Sequence, residues 1–519
     1  MSRTLVLLLA ALALLCVANS FASHLTPDLA IYLLHARSFV ETLNRFTVSV
    51  DSKGLLQTAL LAPAVWLVGA NMKAAAATQA LLHLLGALGL FVVVRSYLPR
   101  VEALGISLIQ LTVLYSHLLW GGNARPEDFA VGYLGVVMVA FMRSTPGWST
   151  AGGAAVAAAF LTKSTLVLGP VGVLVVSACF DPEHRELDRR RQKRERFTRA
   201  LAMLGWMFVG FAVVVAAAVV WLALFDDTSQ WWFQSFVWPA SFHPPTVPGL
   251  DDLRRLLLRL IETRLVLLLI PAVAGFWLGW RNGYRRQSVL GATIVGLELV
   301  RVVLENGQWR YSLTLMVPAL LIGSSLLDRS LRRHETTRLP GLLIPVICLL
   351  PLLAATALAE LEVVHYRLVK RLPSPSEDLA AAMREAGYRS TETIFPVSWG
   401  TPMFVLLDAP RPYRTLPRYF TFVDPEEQAA TRAFYRDNPP VWVLLRREQP
   451  QPVRRQIGGI DFAYHLVADT EGPRSRSHEQ RFAAGESLSP ILSPEQRYQL
   501  TLDTGEYEVW RRVEAPRLE

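Results

Sequence analysis

The sequence predicts a polytopic α-helical membrane protein of about 11 transmembrane helices, with a soluble α/β domain at its C-terminal end. Three observations predict it. The 519 residues are 52% hydrophobic and only 18% charged, where a soluble chain carries nearer a quarter of charged residues. Long apolar runs recur through the first two thirds and stop near residue 359. Much of the excess basic charge, +9 overall, sits in short loops between those runs. That pattern sets membrane topology and argues against nucleic acid as a partner.

Eleven spans are expected, at 3–22, 74–94, 102–121, 128–142, 149–161, 164–180, 200–225, 264–280, 288–304, 311–327 and 339–358. A further apolar run, LLQTALLAPAVWLVG at 55–69, is decided by charge. If it lies on the surface, the inward segments hold 19 Lys and Arg in 52 residues and the outward ones 10 in 103. If it spans, the loop EHRELDRRRQKRERFTR turns outward with its eight basic residues, against the positive-inside bias. The run is therefore expected as a partly immersed interfacial helix, with the N-terminus inside and the C-terminus outside. The first span also reads as a cleavable signal peptide: Arg3, then LVLLLAALALLCVA, then ANSFAS. Either way residue 23 emerges outside. The basic loop at 181–199 reads as topology plus attraction to anionic lipid. Cys16, Cys179 and Cys348 fall in apolar runs and form no visible disulfide or metal framework.

The first outer loop holds HLTPDLAIYLLHARSFVETLNRFTVSVDSKG, residues 24–54. Leu29, Leu33, Leu34, Ala36, Phe39, Val40 and Leu43 line one helix face after Pro27-Asp28, so a helix lying flat at the interface is expected. Asp28 either serves the helix N-terminus, where an anion gains about 0.3–1 kcal/mol, or presents a carboxylate at the membrane rim. Asp51 and Lys53 stand where the 55–69 helix begins. The membrane part is assigned to 1–358 and the soluble domain to 359–519. In the latter, EDLAAAMREAGY (377–388) has helical spacing, TETIFPV, MFVLLDA and VWVLLRRE read as buried strands, and RYQLTLDTGEYEVWRR reads as a hairpin turning at Thr504-Gly505. The stretches between are expected as loops.

Three more elements fall on the outer side. NARPED (123–128) brings Arg125, Glu127 and Asp128 to the start of a span, where the acids also read as caps. Lys163, in FLTKSTL, stands at a tight turn, and Arg310 with Tyr311, in ENGQWRYSLTLMVP, opens a late span. Each has a bland reading as an interfacial anchor. Together they set carboxylates and cations at one depth. Cations hold a lipid phosphate as its charge develops, and a carboxylate takes the proton of an attacking hydroxyl. Trp231, Trp232 and Trp238 read as an aromatic belt, and His243, among prolines, as a loop residue. Glu298 and Arg301 lie three apart within one span, where each charge costs roughly 2.5–3.5 kcal/mol and mutual pairing is expected.

PDLAIY, DSKG before an apolar run ending at Gly69, RPED, LTK ending at Lys163, and WRY with Pro318 beyond it occur in this order. The order resembles the GT-C superfamily of polyprenyl-phosphate-sugar-dependent glycosyltransferases, near the protein O-mannosyltransferase-like and aminoarabinose-transferase-like enzymes, over about residues 1–330. The resemblance implies a catalytic Asp28, a second acidic site at Asp128 with Glu127 beside it, and a donor-phosphate site of Lys53, Lys163, Arg310 and Tyr311. Related sequences carry prolines after the lysine where this chain has Gly54; the acidic neighbour of Lys53 is Asp51. Arg125, Glu127, Asp51 and His243 are expected to position acceptor or sugar. A divalent metal, on Asp28 and Asp128, is left open.

The expected partners are a polyprenyl-phosphate sugar, a glycan, lipid or protein acceptor, and membrane lipids, at the outer face of the cytoplasmic membrane. Three other classes compete: a lipid-linked-saccharide flippase, which needs no outer base; an O-antigen ligase or polymerase; and a scaffold that presents the C-terminal domain.

Overall fold

The computed structural model describes residues 3–21, 25–43, 55–116, 125–179, 189–225, 231–232, 250–262, 265–304, 309–332, 343–365, 375–397, 402–410, 425–446, 455–457, 460–462, 498–503 and 507–512. A helix lies on each of the eleven apolar runs. They are α1 (Arg3–Phe21), α4 (Met72–Arg95), α5 (Arg100–Tyr115), α6 (Pro126–Arg143), α7 (Pro146–Thr162), α8 (Leu168–Cys179), α9 (Arg189–Phe225), α11 (Val266–Arg281), α12 (Arg285–Leu304), α13 (Trp309–Arg332) and α14 (Leu343–Val364). Between them come α2 (Pro27–Thr42), α3 (Leu55–Val68) and α10 (Leu250–Glu262). Among the described residues, five helices are long and apolar enough to cross a membrane: Arg3–Phe21, Met72–Arg95, Thr198–Phe225, Ser312–Arg332 and Ile344–Val364. Helix α9 begins inside the expected basic loop, at Arg189, and α14 runs six residues past the expected domain boundary at 358.

Small residues let the helices of the bundle approach. α4 packs on α6 through Gly86 and Gly89 against Gly132 and Gly135. A Cβ on Gly135 would meet the Leu85 carbonyl oxygen, with the Gly86 Cα at 2.7 Å. α11 and α13 meet in the same way at Gly275 and Gly323. This is the close backbone approach that membrane helices use where no hydrophobic effect drives them together.

Helix α2 departs from expectation. Thr26 caps it, its Oγ1 accepting from Leu29 N at 3.3 Å, with Pro27 in the first turn. Leu43, in the left-handed region at φ 57°, closes it. It lacks the wet face expected along its first half, because Leu29 through Ala36 are all buried. Leu29, Tyr32, Leu33 and Ala36 join the core of the bundle, while Ile31 and Leu34 join the core of the C-terminal domain. The helix is a layer between two bodies. Helix α3 has 14 residues, about 21 Å of helix against a hydrocarbon core of about 30 Å.

The C-terminal sheet runs β1-β2-β6-β5, from β1 (Ile394–Val397), β2 (Trp442–Arg446), β5 (Tyr498–Asp503) and β6 (Tyr507–Arg512). β1 and β2 are parallel, and β5 and β6 form the expected hairpin, whose Thr504-Gly505 turn lies outside the described residues. Helix α15 (Pro375–Glu385) lies on the segment of helical spacing. MFVLLDA is not a strand: Pro402–Leu406 is a short helix, α16. Pro402 suits a first helical position, and a short apolar run cannot be told from a buried helix by periodicity. Two stretches expected as loops are ordered, α17 (Pro425–Asp437) and the pair β3 (Arg455–Ile457) and β4 (Ile460–Phe462).

Candidate active site

Polar side chains from distant parts of the chain meet at one end of the bundle. At the end of α1, Asn19 Nδ2 donates to Glu360 Oε2 of α14 at 2.8 Å and to its carbonyl at 2.9 Å. Four residues earlier on α14, the Thr356 hydroxyl lies 2.9 Å from that of Ser116, where α5 ends. Beside it Tyr115 sets its ring edge against His83 of α4, with centroids 4.8 Å apart. His83 Nε2 lies 3.7 Å from Asp128 Oδ1 in the first turn of α6. Glu127 Oε1, next to it, accepts from Lys163 Nζ at 2.9 Å, where α7 ends. The turn after Lys163 leads into α8, where a Cβ on Gly169 would lie 3.2 Å from Glu298 Oε1 of α12. Glu298 Oε2 pairs with Arg301 at 2.8 Å, and Arg301 Nη2 donates to Ser312 Oγ at the start of α13.

The two neighbouring acids do different work. Asp128 is the third residue of its helix, and its Oδ2 accepts from the Arg125 backbone N–H at 2.9 Å. That is the cap weighed from sequence. It leaves Oδ1 facing His83. Glu127 is instead an ion-pair partner, with its side chain 4% exposed and that of Lys163 16%. An unpaired buried ion is costly, and the ammonium 2.9 Å away is the partner that offsets that cost.

Asp28 is exposed in the first turn of α2, which follows the same end of α1. Arg310 and Tyr311 open α13 at that end too, two residues and one residue before Ser312; their side chains lie outside the described ones. Asp51, Lys53, Trp238 and His243 also lie outside the described residues. Trp231 packs with Leu55, Leu222, Phe39 and Trp221 rather than standing only in a belt, whereas Trp232 is exposed. The expected pairing of Glu298 with Arg301 is present, and both are buried. Among the described residues no group of three or more His, Cys, Asp or Glu side chains comes together to hold a metal.

Sequence reasoning passed over His83, Tyr115 and Glu360. Each carried a signal, a polar or ionisable group inside or at the end of an apolar run. His83 is fully buried, and neither ring nitrogen has a hydrogen-bond partner among the described residues. Among the same residues the buried Tyr115 hydroxyl has no partner either.

No protein-family model and no curated protein sequence matches the chain. Solved structures do. ArnT from Cupriavidus metallidurans bound to undecaprenyl phosphate is 13% identical and superposes with a TM-score of 0.55, over 99% of this chain and 99% of that one. ArnT from the same organism in the apo state is 14% identical, with a TM-score of 0.52 over 97% of each chain. The chain has the fold of ArnT. The likeness covers the membrane half and the C-terminal domain alike. The ArnT fold makes the chain a multi-pass helical membrane protein.

Proposed function

We propose that the chain is a membrane glycosyltransferase that moves a monosaccharide from a polyprenyl-phosphate donor to an acceptor hydroxyl, at the outer face of the cytoplasmic membrane. The carrying observation is the pairing of acid and cation between the start of α6 and the end of α7, Glu127 with Lys163, beside Asp128, in a chain that takes the fold of ArnT over 99% of its length. That ArnT is bound to undecaprenyl phosphate supports a lipid phosphate as the carrier here.

The chemistry follows from the groups at hand. Asp28 is an exposed carboxylate and accepts the proton of the attacking hydroxyl, as a general base typically contributing ~10²–10⁴ in rate. The bond from the anomeric carbon to the phosphate oxygen breaks as the bond from the acceptor oxygen forms, with inversion. The lipid phosphate leaves with its negative charge, which Lys163, Lys53, Arg310 and the Tyr311 hydroxyl stabilise. Asp128, Glu127 and Arg125 orient the sugar or the acceptor beside that centre, with Asp51 and His243 on the neighbouring loops.

The test is native mass spectrometry of the protein purified with its own lipids, followed by turnover of the lipid found. A bound polyprenyl-phosphate monosaccharide that is consumed with release of polyprenyl phosphate is the expected result. A lipid-linked saccharide that crosses a vesicle bilayer unchanged would make the chain a transporter.

A further inference from the structure

Helix α2 is held from both sides. Its Leu29, Tyr32, Leu33 and Ala36 pack into the bundle, and its Ile31 and Leu34 join the C-terminal core that holds Met403, Phe404 and Leu407, where α2 meets α16. Arg37 fastens the second contact. Its Nη1 donates to Asp408 Oδ1 at 2.9 Å and its Nη2 to the Ala409 carbonyl at 3.0 Å. Both acceptors belong to the turn that ends α16. There Ala409 N bonds back to the Phe404 carbonyl at 3.1 Å, and Asp408 takes the left-handed conformation at φ 49°. An Asp tolerates that conformation better than most residues. The turn thus presents one side-chain oxygen and one carbonyl oxygen to the planar fork of a single guanidinium.

We propose that the C-terminal domain is a working part of the transfer site and that Arg37 is a positioning residue through which it sets Asp28. The inference rests on the glycosyltransferase reading, with Asp28 as base. Asp28 and Arg37 lie nine residues apart on one helix, a separation of about 14 Å. A tilt of about 4° at the Arg37 end therefore carries the Asp28 carboxylate about 1 Å. A misplacement of that size costs on the order of 10²-fold in rate. The guanidinium removes the tilt by holding the far end of the lever. Ile31 and Leu34 add apolar area but no direction, because apolar contacts are not directional.

The experiment uses the full chain in lipid nanodiscs. Donors are a panel of undecaprenyl-phosphate monosaccharides, the acceptor is a whole-envelope extract of lipid, glycan and protein, and the readout is released undecaprenyl phosphate. Hydrogen exchange of the amides of 29–42 is followed in parallel. Arg37→Ala is expected to lower kcat at least tenfold with the donor KM unchanged and to speed exchange in α2. Asp408→Asn, which keeps the acceptor oxygen, is expected to retain most of the rate, and Arg37→Lys to recover part of it. Asp408→Ala replaces Arg37→Ala should the latter fail to accumulate, since the Asp408 side chain is 84% exposed and lies outside the core. Faster exchange with kcat at the parent value would overturn the inference and reduce the contact to a tether. No transfer by the parent chain with any donor would overturn the glycosyltransferase reading, and this inference with it.

Discussion

Replacing Lys163 by Met leaves Glu127, 4% exposed, without the ammonium 2.9 Å away. Stranding one partner of a buried pair costs about 3–5 kcal/mol, whereas replacing both by neutral groups of similar size is often close to neutral. Lys163 keeps some contact with solvent, so about 3 kcal/mol is the figure for Lys163→Met and nearly none for Glu127→Gln with Lys163→Met. Stability would be followed by denaturant unfolding in mixed micelles, and activity by release of lipid phosphate from the donor. The two readouts should then part company. The double variant should regain the parent's stability yet stay at least tenfold slow, because the cation proposed to meet the leaving phosphate is gone and with it the carboxylate proposed to orient sugar or acceptor. A double variant that regains stability and rate together would show that the pair is structural and that Lys163 has no part in the chemistry.

Other outcomes follow from the same contacts. Gly135→Leu should prevent α4 and α6 from closing and cost more than the roughly 1–3 kcal/mol of ordinary overpacking, because the new side chain meets backbone at Leu85 and Gly86; loss of the folded fraction in detergent chromatography checks this. Arg301→Met should strand Glu298 in the bundle at a cost of about 3–5 kcal/mol, and adding Glu298→Gln should restore most of it in the same unfolding assay. Tyr388 of the C-terminal domain has its hydroxyl pushed up to about 12, first by burial and then by the charges of Glu392 and Asp408. Its folded form holds the proton more tightly than the unfolded form. The stability it contributes is therefore complete below pH 10 and lost as pH rises to about 12; Tyr388→Phe should flatten that alkaline loss in a thermal series.

The helices were legible because a bilayer demands long apolar runs, and each of the eleven runs carries a helix. Charge placement also set 55–69 apart, and the helix there is short. Where no such demand acts, the reading weakened. MFVLLDA is apolar enough for a buried strand or a buried helical turn, and Pro402 tipped it to the helix. The 425–437 segment is charged and amphipathic, and its helix depends on contacts such as Tyr435 with Phe395. The double burial of α2 was partly written in Ile31, Leu34 and Arg37, three residues apart each time. Their partners come from residues about 350 positions later, which no local pattern reveals. At the candidate site, Glu127, Asp128 and Lys163 stood out as charges at span ends, but their division of labour did not. Which acid caps and which pairs depends on how α6 meets α4 and α7, and His83, a lone polar group in an apolar run, is the residue that Asp128 faces.

The most direct measurement compares the parent chain with Asp28→Asn on a polyprenyl-phosphate sugar, scoring both sugar transferred and donor bound. Binding kept within twofold with transfer abolished is the predicted result. Transfer at the parent rate without that carboxylate would contradict the placement of the chemistry at Asp28 and the mechanism built on it.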